Sequence, residues 1–451
     1  MIDRKLDKHI DNHYNNSNSA LLLIGARQTG KTFAIRNHAE RQGLKLVEIN
    51  FFQDSSAATI FKGAKDAKEI LLRISAYTHI ELVSGNTLIF FDEVQKAPEV
   101  ITWIKFLVEE GSYSYALSGS LLGVELKNIR SIPVGYMAVQ EVFPLDLEEF
   151  CRAIGISDEV MKHIQNAWET KTPVDEIVHE TMMKVTSLYL LTGGMPAVVQ
   201  AYIDSNNMQV VQAKQREILS LYKWDISQYD PKNKLYINDI FDILPSELDA
   251  KNKRFVLKTL NEHSRFSKYE NGFIWLQNAG VALPTNNVEA PTPPLKLEEQ
   301  RNLFKLFSND VGLLAVQYAQ DIALKILRGE VNLNYGAIYE NFIAQELKAH
   351  GYSLYYFNSK KQGEVDFLLE DDAKITPVEV KSGKDYNRHR ALNNIMDNEL
   401  YNIAQAIILT CDNVKQEEKL SYLPIYMVMF IQKHQPPKDM IYKIEIPTIS
   451  L

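Results

Sequence analysis

Two short stretches of this sequence carry residue types whose spacing can handle phosphate. In "GARQTGKT", residues 25–32, Gly25 and Gly30 bracket a short loop that ends in Lys31 and Thr32. Glycines there let backbone N–H groups turn onto phosphate oxygens. The loop Gly25, Ala26, Arg27, Gln28, Thr29 and Gly30 is therefore expected to cradle the phosphates of ATP. Lys31 would reach the β- and γ-phosphates, and Thr32 would hold Mg2+. In "TLIFFDE", residues 87–93, an apolar run delivers Asp92 and Glu93 to the C-terminal edge of a strand, where ligands of open α/β sheets bind. Asp92 is placed to hold Mg2+ through water, and Glu93 to orient and activate the attacking water. An adjacent Glu favours hydrolysis over transfer, so the pair reads as an ATPase. In "YALSGSLLG", Ser118 can sense the γ-phosphate or position the water, with Ser120 the weaker candidate; a plain Ser-Gly turn describes either residue as well.

A second constellation lies near the other end, in "GEVDFLLEDDAKITPVEVKSGK", residues 363–384. It reads as two strands joined by the turn "EDDAK". Glu379 and Lys381 are two apart and share one face of a strand, and Asp366 would converge on that face from the neighbouring strand. Asp366 and Glu379 can hold Mg2+, and Lys381 can orient a water or stabilise a pentavalent phosphate, which is nuclease chemistry. The same alternation also describes an ordinary strand with its charges in solvent.

The elements that must position these residues follow from patterning. Short apolar runs at 20–24, 45–52, 87–93 and 114–120 alternate with helix-like segments, as in a parallel α/β sheet. Residues 151 to about 225 are helical, interrupted by "LTGGMPAVV", where Gly193 and Gly194 break the pattern and Pro196 can open the next helix. Residues 226–300 are mixed, with the strand-like "GFIWL" and a linker or wing at 286–296 containing three prolines. A last α/β block begins near 301. The expected domains are thus 1–150, 151–225, 226–300 and 301–451.

Composition narrows the setting. A chain of 451 residues, with 45% hydrophobic and 24% charged residues, suits several globular domains. A net charge of −8 argues against coating nucleic acid through bulk charge. Cys151 and Cys411 have no partner spacing for zinc or a disulfide framework, the polar N-terminus lacks a signal peptide's apolar core, and no apolar run is long enough to span a membrane. The expectation is a soluble cytoplasmic protein with no membrane partner.

Taken together, "GARQTGKT", "FFDEVQKAP", "LSGS", "FPLDLEEF", "LTGGMPAVV", "FKLFSNDVGLL" and "YENFIAQELKAHG…GEVDF…PVEVKSG" resemble a family of bacterial and archaeal AAA-type ATPases. The resemblance runs from the first strand to about residue 383. It implies a P-loop AAA-like ATPase domain, a helical lid, a winged helix and a C-terminal domain with the restriction-endonuclease-like fold. It also implies that Glu340, on the helix before the first strand of that last domain, completes the metal site with Asp366, Glu379 and Lys381. Many relatives carry a Gly-Arg pair where this chain reads Gly135-Tyr136, so either Arg130 or Arg27 substitutes as the transition-state cation or hydrolysis is slow or depends on a partner. The segment 251–268 holds six Lys or Arg against one acid, Glu262, and residues 381–390 add four more. On a winged helix such a stretch can lie against DNA phosphates. The leading expectation is an ATPase acting on DNA, either cutting it or clamping it. The alternative is a nucleotide-controlled switch for a protein partner, with an inactive nuclease-like domain. Self-association is left open.

Overall fold

The computed structural model describes residues 2–120, 135–229, 234–250, 253–256, 266–318, 336–383 and 389–434. Five strands, β1 (Ala20–Ile24), β2 (Lys45–Asn50), β3 (Thr87–Asp92), β4 (Ser114–Gly119) and β5 (Met137–Glu141), form an all-parallel sheet in the order β2-β3-β4-β1-β5. Helices cover both faces, so the central strands are near-continuous apolar runs: every residue of β3 is buried. One apolar layer joins the helices Ala67–Thr78 and Glu99–Glu110 to the sheet, and a second joins Lys5–Asn16 and Lys31–Arg41 to the other face. β5 escapes the apolar pattern because it is only half buried along its length.

After the short helix Leu147–Ala153 come four more helices, Asp158–Thr170, Glu176–Thr192, Pro196–Ser205 and Met208–Tyr229. The break at Gly193-Gly194 and the start at Pro196 fall where the sequence places them. "GFIWL" is not a strand. It lies in the helix Phe266–Asn278, with Tyr269, Phe273 and Leu276 buried at helical spacing. A five-residue apolar run is too short for its period to distinguish the two.

A second sheet has eight strands: β6 (Ala282–Val288), β7 (Glu299–Ser308), β8 (Tyr355–Ser359), β9 (Gly363–Asp371), β10 (Lys374–Val380), β11 (Ala406–Thr410), β12 (Lys415–Glu417) and β13 (Leu420–Pro424). Their order is β12-β13-β11-β10-β9-β8-β6-β7. The proline-rich stretch connects β6 to β7, an antiparallel pair, and β6 then pairs with β8. The boundary expected at 300/301 therefore falls inside β7, and the hairpin belongs to the same sheet as the last block. β9 runs longer than expected, β10 starts two residues early and ends at Val380, and the two meet in a tight turn at Asp372 and Ala373, both with positive φ. A single apolar core runs through Leu190, Val198, Leu306, Phe342 and Tyr426, binding the four-helix segment, the hairpin and the last block together.

Candidate functional site

Sheet order and register bring the phosphate loop and the acidic strand end to one edge. Asn50 pairs in register with Asp92, and Phe91 with Leu117, so Asn50, Asp92 and Ser118 stand side by side at the C-terminal edge. β4 separates β3 from β1, and β1 runs straight into Gly25. The Asp92 carboxylate, 3% exposed, accepts from Asn50 Nδ2 at 2.9 Å, from Thr32 Oγ1 at 3.2 Å to each oxygen, and from Ser118 Oγ. Burial raises its pKa, with the donated Ser118 bond opposing and neighbouring Glu93 adding to the rise. A hydroxyl and a buried carboxylate facing each other are hard oxygen ligands that fit Mg2+.

Glu93 lies one residue on, in the left-handed region at φ 56°. Such a backbone costs on the order of 1–3 kcal/mol and is held by its surroundings. Gln95 Nε2 donates to Glu93 Oε2, and Ser120 Oγ donates to the same oxygen at 3.2 Å. The two serines thus divide the work: Ser118 serves Asp92 and Ser120 serves Glu93. Asn50 and Gln95 were not singled out from the sequence; register explains the first, and the second lies inside the quoted "DEVQK".

The loop itself is tightly enclosed. Gly25 has φ 136°, and a Cβ there would collide with the carbonyl oxygen of Val142. Gly30 has φ 92° and opens the helix Lys31–Arg41. Gln28, between them, also has positive φ, and Thr29 Oγ1 donates to the Ala26 carbonyl at 2.9 Å. Lys31 Nζ reaches back to the carbonyls of Gly25 and Ala26, at 2.9 and 2.7 Å. Burial pushes the Lys31 ammonium down to about 8, against the upward pull of Glu93 and Asp92. Arg27 turns away from the loop to Asp225 on the helix Met208–Tyr229, with Nη1 2.9 Å from Oδ1. Tyr136 points to Glu109, its hydroxyl donating at 2.7 Å. Arg130 lies outside the described residues.

"LTGGMPAVV" has a definite partner. Asp310, fully buried, accepts from Gly194 N at 2.7 Å and from Leu313 N at 2.9 Å, so it caps the short helix Val311–Ala315 and ties in the glycine corner. A Cβ on Gly193 would lie 2.7 Å from the Asp310 Cγ, and one on Gly194 would be 2.8 Å from Leu145 N. Burial lifts the Asp310 carboxyl to about 6, against four backbone N–H donors. Polar residues of the helix Gly336–Ala349 complete the joint. Gln345 accepts from Val311 N at 2.8 Å and Glu346 from Leu147 N at 3.0 Å, while Asn341 exchanges two bonds with Ser308. The corner also touches the phosphate loop: Pro196 Cγ is 3.6 Å from where a Cβ of Gly30 would sit.

The second constellation is brought together, but around a lysine. Lys305 of β7, 0% exposed, places Nζ 2.7 Å from Glu364, 3.3 Å from Glu340 and 3.9 Å from Asp366. Lys253 pairs with the other oxygen of Glu340. Burial pulls the Lys305 ammonium down, yet Glu340, Asp366 and Glu364 together hold it above its usual value. Burial and Glu340 raise Asp366 to about 7. Asp366 Oδ2 accepts from Val380 N at 2.8 Å, and Lys381, just past the end of β10, pairs with Glu379. Among the described residues no group of three or more His, Cys, Asp or Glu is free to hold a metal ion. The carboxylates expected to bind Mg2+ here are already paired with ammonium groups, Glu340 with Lys305 and Lys253, Asp366 with Lys305 and Glu379 with Lys381, and so arranged they do not fit a metal ion. Lys305, Lys253 and Glu364 were not anticipated. A lone lysine in the apolar run "LFKLF" was the available signal.

Comparison with known families agrees with the first site. Residues 17–151 match a family described as an AAA domain. Residues 183–322 and 335–428 match two domains of unknown function, DUF8612 and DUF4143. Sequence comparison with curated proteins finds no match. Similar solved structures include the Walker-type ATPase of Pyrococcus abyssi, at 13% identity, TM-score 0.43, covering 70% of this chain and 96% of that one. They also include Cdc6p of Pyrobaculum aerophilum, at 13% identity and TM-score 0.26, covering 72% and 92%, and RuvB of Thermotoga maritima, at 13% and 0.29, covering 62% and 89%. The N-terminal part is thus an ATP-binding, AAA-type P-loop ATPase domain, built on a parallel sheet.

Proposed function

We propose that the protein hydrolyses ATP with Mg2+ at the β1–β3–β4 edge and uses the nucleotide state to control a C-terminal body that binds without cutting. The observation that carries the first half is the Asp92 carboxylate, held by Thr32, Ser118 and Asn50, with Glu93 beside it. Thr32 and Asp92 would hold Mg2+, which when bound supplies charge neutralisation for the phosphates. The loop N–H groups position the phosphates. Burial lowers the Lys31 ammonium's pKa, and the negative charge of the arriving phosphates would favour its charged form. Glu93, braced by Gln95 and Ser120, takes the proton of the attacking water.

Lys305 favours a non-cutting role for the last domain. Its fold is proposed as restriction-endonuclease-like, a helix with Glu340 followed by β8, β9 and β10, on the strength of the resemblance and of that element order. A fixed ammonium in the middle of the acids supports an inactive site. The helices Lys234–Asp249 and Phe266–Asn278 followed by the β6–β7 hairpin suit a winged helix, and DNA is the proposed target. Lys253, one of the six basic residues of the 251–268 segment, is already paired with Glu340. The test incubates the full chain with DNA and Mg2+ or Mn2+, with and without ATP, beside Asp366→Ala. The account expects phosphate release, salt-dependent DNA binding and no cleavage. Metal-dependent cleavage that is lost in Asp366→Ala overturns the non-cutting reading. DNA affinity that does not change with salt overturns the DNA reading, because phosphate contacts release counterions.

A further inference from the structure

Arg27 is built into the phosphate loop, yet its guanidinium is held by a different part of the chain. Nη1 sits 2.9 Å from Asp225 Oδ1, and both side chains are largely shielded from water. The guanidinium lies over the Phe52 ring, 5.3 Å from its centre. Its Nε is buried with no acceptor. A buried donor without a partner costs about 1–3 kcal/mol, so the group is poised to gain from an arriving anion. The pair overlooks the reaction site: Lys31 lies in the field of Arg27, and Asp225 in the fields of Glu93 and the exposed Lys96.

We propose that Arg27 is the side chain that offsets the charge building on the γ-phosphate, and that Asp225 holds it in reserve, so that movement of the helix Met208–Tyr229 sets the turnover rate. This rests on the ATPase reading above. In the step concerned, a water oxygen bonds to the γ-phosphorus as the bond to the bridging β–γ oxygen breaks. Glu93 receives the water's proton, and ADP carries away the bridging oxygen. Negative charge accumulates on the phosphate oxygens, and a guanidinium there stabilises it.

Besides Asp225 itself, the helix Met208–Tyr229 is tied to the rest of the molecule at two further levels. Tyr222, one turn earlier, donates to the Arg27 carbonyl at 3.3 Å and receives a bond from Asn309. Gln215, two turns before that, donates to the carbonyls of Leu191 and Thr192, next to the glycine corner that Asp310 clasps. Asn309 and Asp310 directly follow β7 of the hairpin. Whatever displaces the hairpin or the corner therefore pulls on the helix that restrains Arg27. Gly280, just before β6, packs on the loop itself: a Cβ there would lie 2.9 Å from Ala26 N.

The test measures kcat, KM for ATP and equilibrium binding of a fluorescent ATP analogue. It uses wild type, Asp225→Asn, Asp225→Ser, Arg27→Lys, Arg27→Ala and the double variant Arg27→Ala with Asp225→Asn, each checked for folding by its melting curve. Freeing Arg27 should raise kcat about fivefold or more in either Asp225 variant, with KM changed less than about twofold. Arg27→Ala should lower kcat at least about 100-fold, and Arg27→Lys less. The double variant should match Arg27→Ala alone, because Asp225 acts through Arg27. Unchanged or lower kcat in both Asp225 variants, with ATP still bound, overturns the latch. So does a double variant more active than Arg27→Ala. Phosphate release by none of the proteins overturns the ATPase reading itself.

Discussion

Replacing Lys305 with methionine keeps the length of the side chain and removes its charge. The ammonium sits within 4 Å of Glu340, Glu364 and Asp366, and is fully buried. Removing one partner of a buried ion pair leaves uncompensated charge and costs about 3–5 kcal/mol. At about 2–4 °C per kcal/mol for a domain of this size, the melting midpoint should fall by roughly 6–20 °C in chelator-treated buffer. The orphaned carboxylates should then accept what they lack. Millimolar Mn2+ at about 100 times its Kd would restore about 2.7 kcal/mol, through linkage. Falling pH should narrow the loss as well, because protonation removes the charge that Lys305 balanced. Calorimetry of wild type and Lys305→Met, with and without Mn2+, reads all three effects in nucleotide-free protein. Leu306→Ala is the control: a buried neighbour on the same strand, it should lose stability with no response to metal. A Lys305→Met protein as stable as wild type, or one destabilised but indifferent to both Mn2+ and acid, would refute the reasoning.

Two further outcomes probe the joint. Asp310 is lifted to about 6 from an unfolded value near 3.8, so its contribution to stability is fully present below about pH 4 and is lost as pH rises through 6. The shift corresponds to about 3 kcal/mol, and the stability difference between wild type and Asp310→Asn, followed by denaturant titration from pH 4 to 7, should move by up to that amount in favour of Asn as pH rises; a pH-independent difference contradicts it. Gly194→Ala should destabilise by at least about 2 kcal/mol, since its Cβ would be driven into the Leu145 backbone, which already pairs with Gly194 O at 2.7 Å; a midpoint equal to wild type would show that the corner yields.

The phosphate loop was legible because its chemistry needs contiguous residues, and the strand-end acids because a buried parallel strand is a continuous apolar run. "LTGGMPAVV" was legible as a break, but not as a clasp, because its partner Asp310 is 116 residues away. β5 hides in alternating, half-buried residues, and "GFIWL" is too short to declare its period. Lys305 shows the limit most clearly. Read along the chain it is one charge on a strand, and its meaning depends on three carboxylates contributed by the helix Gly336–Ala349 and by β9, which β8 and β6 separate from β7 in the sheet. The motifs Glu340, Asp366 and Glu379-Val-Lys381 were recognisable individually, whereas the ammonium that faces Glu340 and Asp366 comes from β7, a strand that no motif marked.

The most direct measurement is phosphate release from ATP by the purified chain in Mg2+, run beside Glu93→Gln and Lys31→Ala, with bound nucleotide determined in parallel. The account predicts turnover by wild type, ATP retained without turnover in Glu93→Gln, and loss of turnover in Lys31→Ala. Equal phosphate release by wild type and Glu93→Gln would contradict it, because the water would then be activated elsewhere.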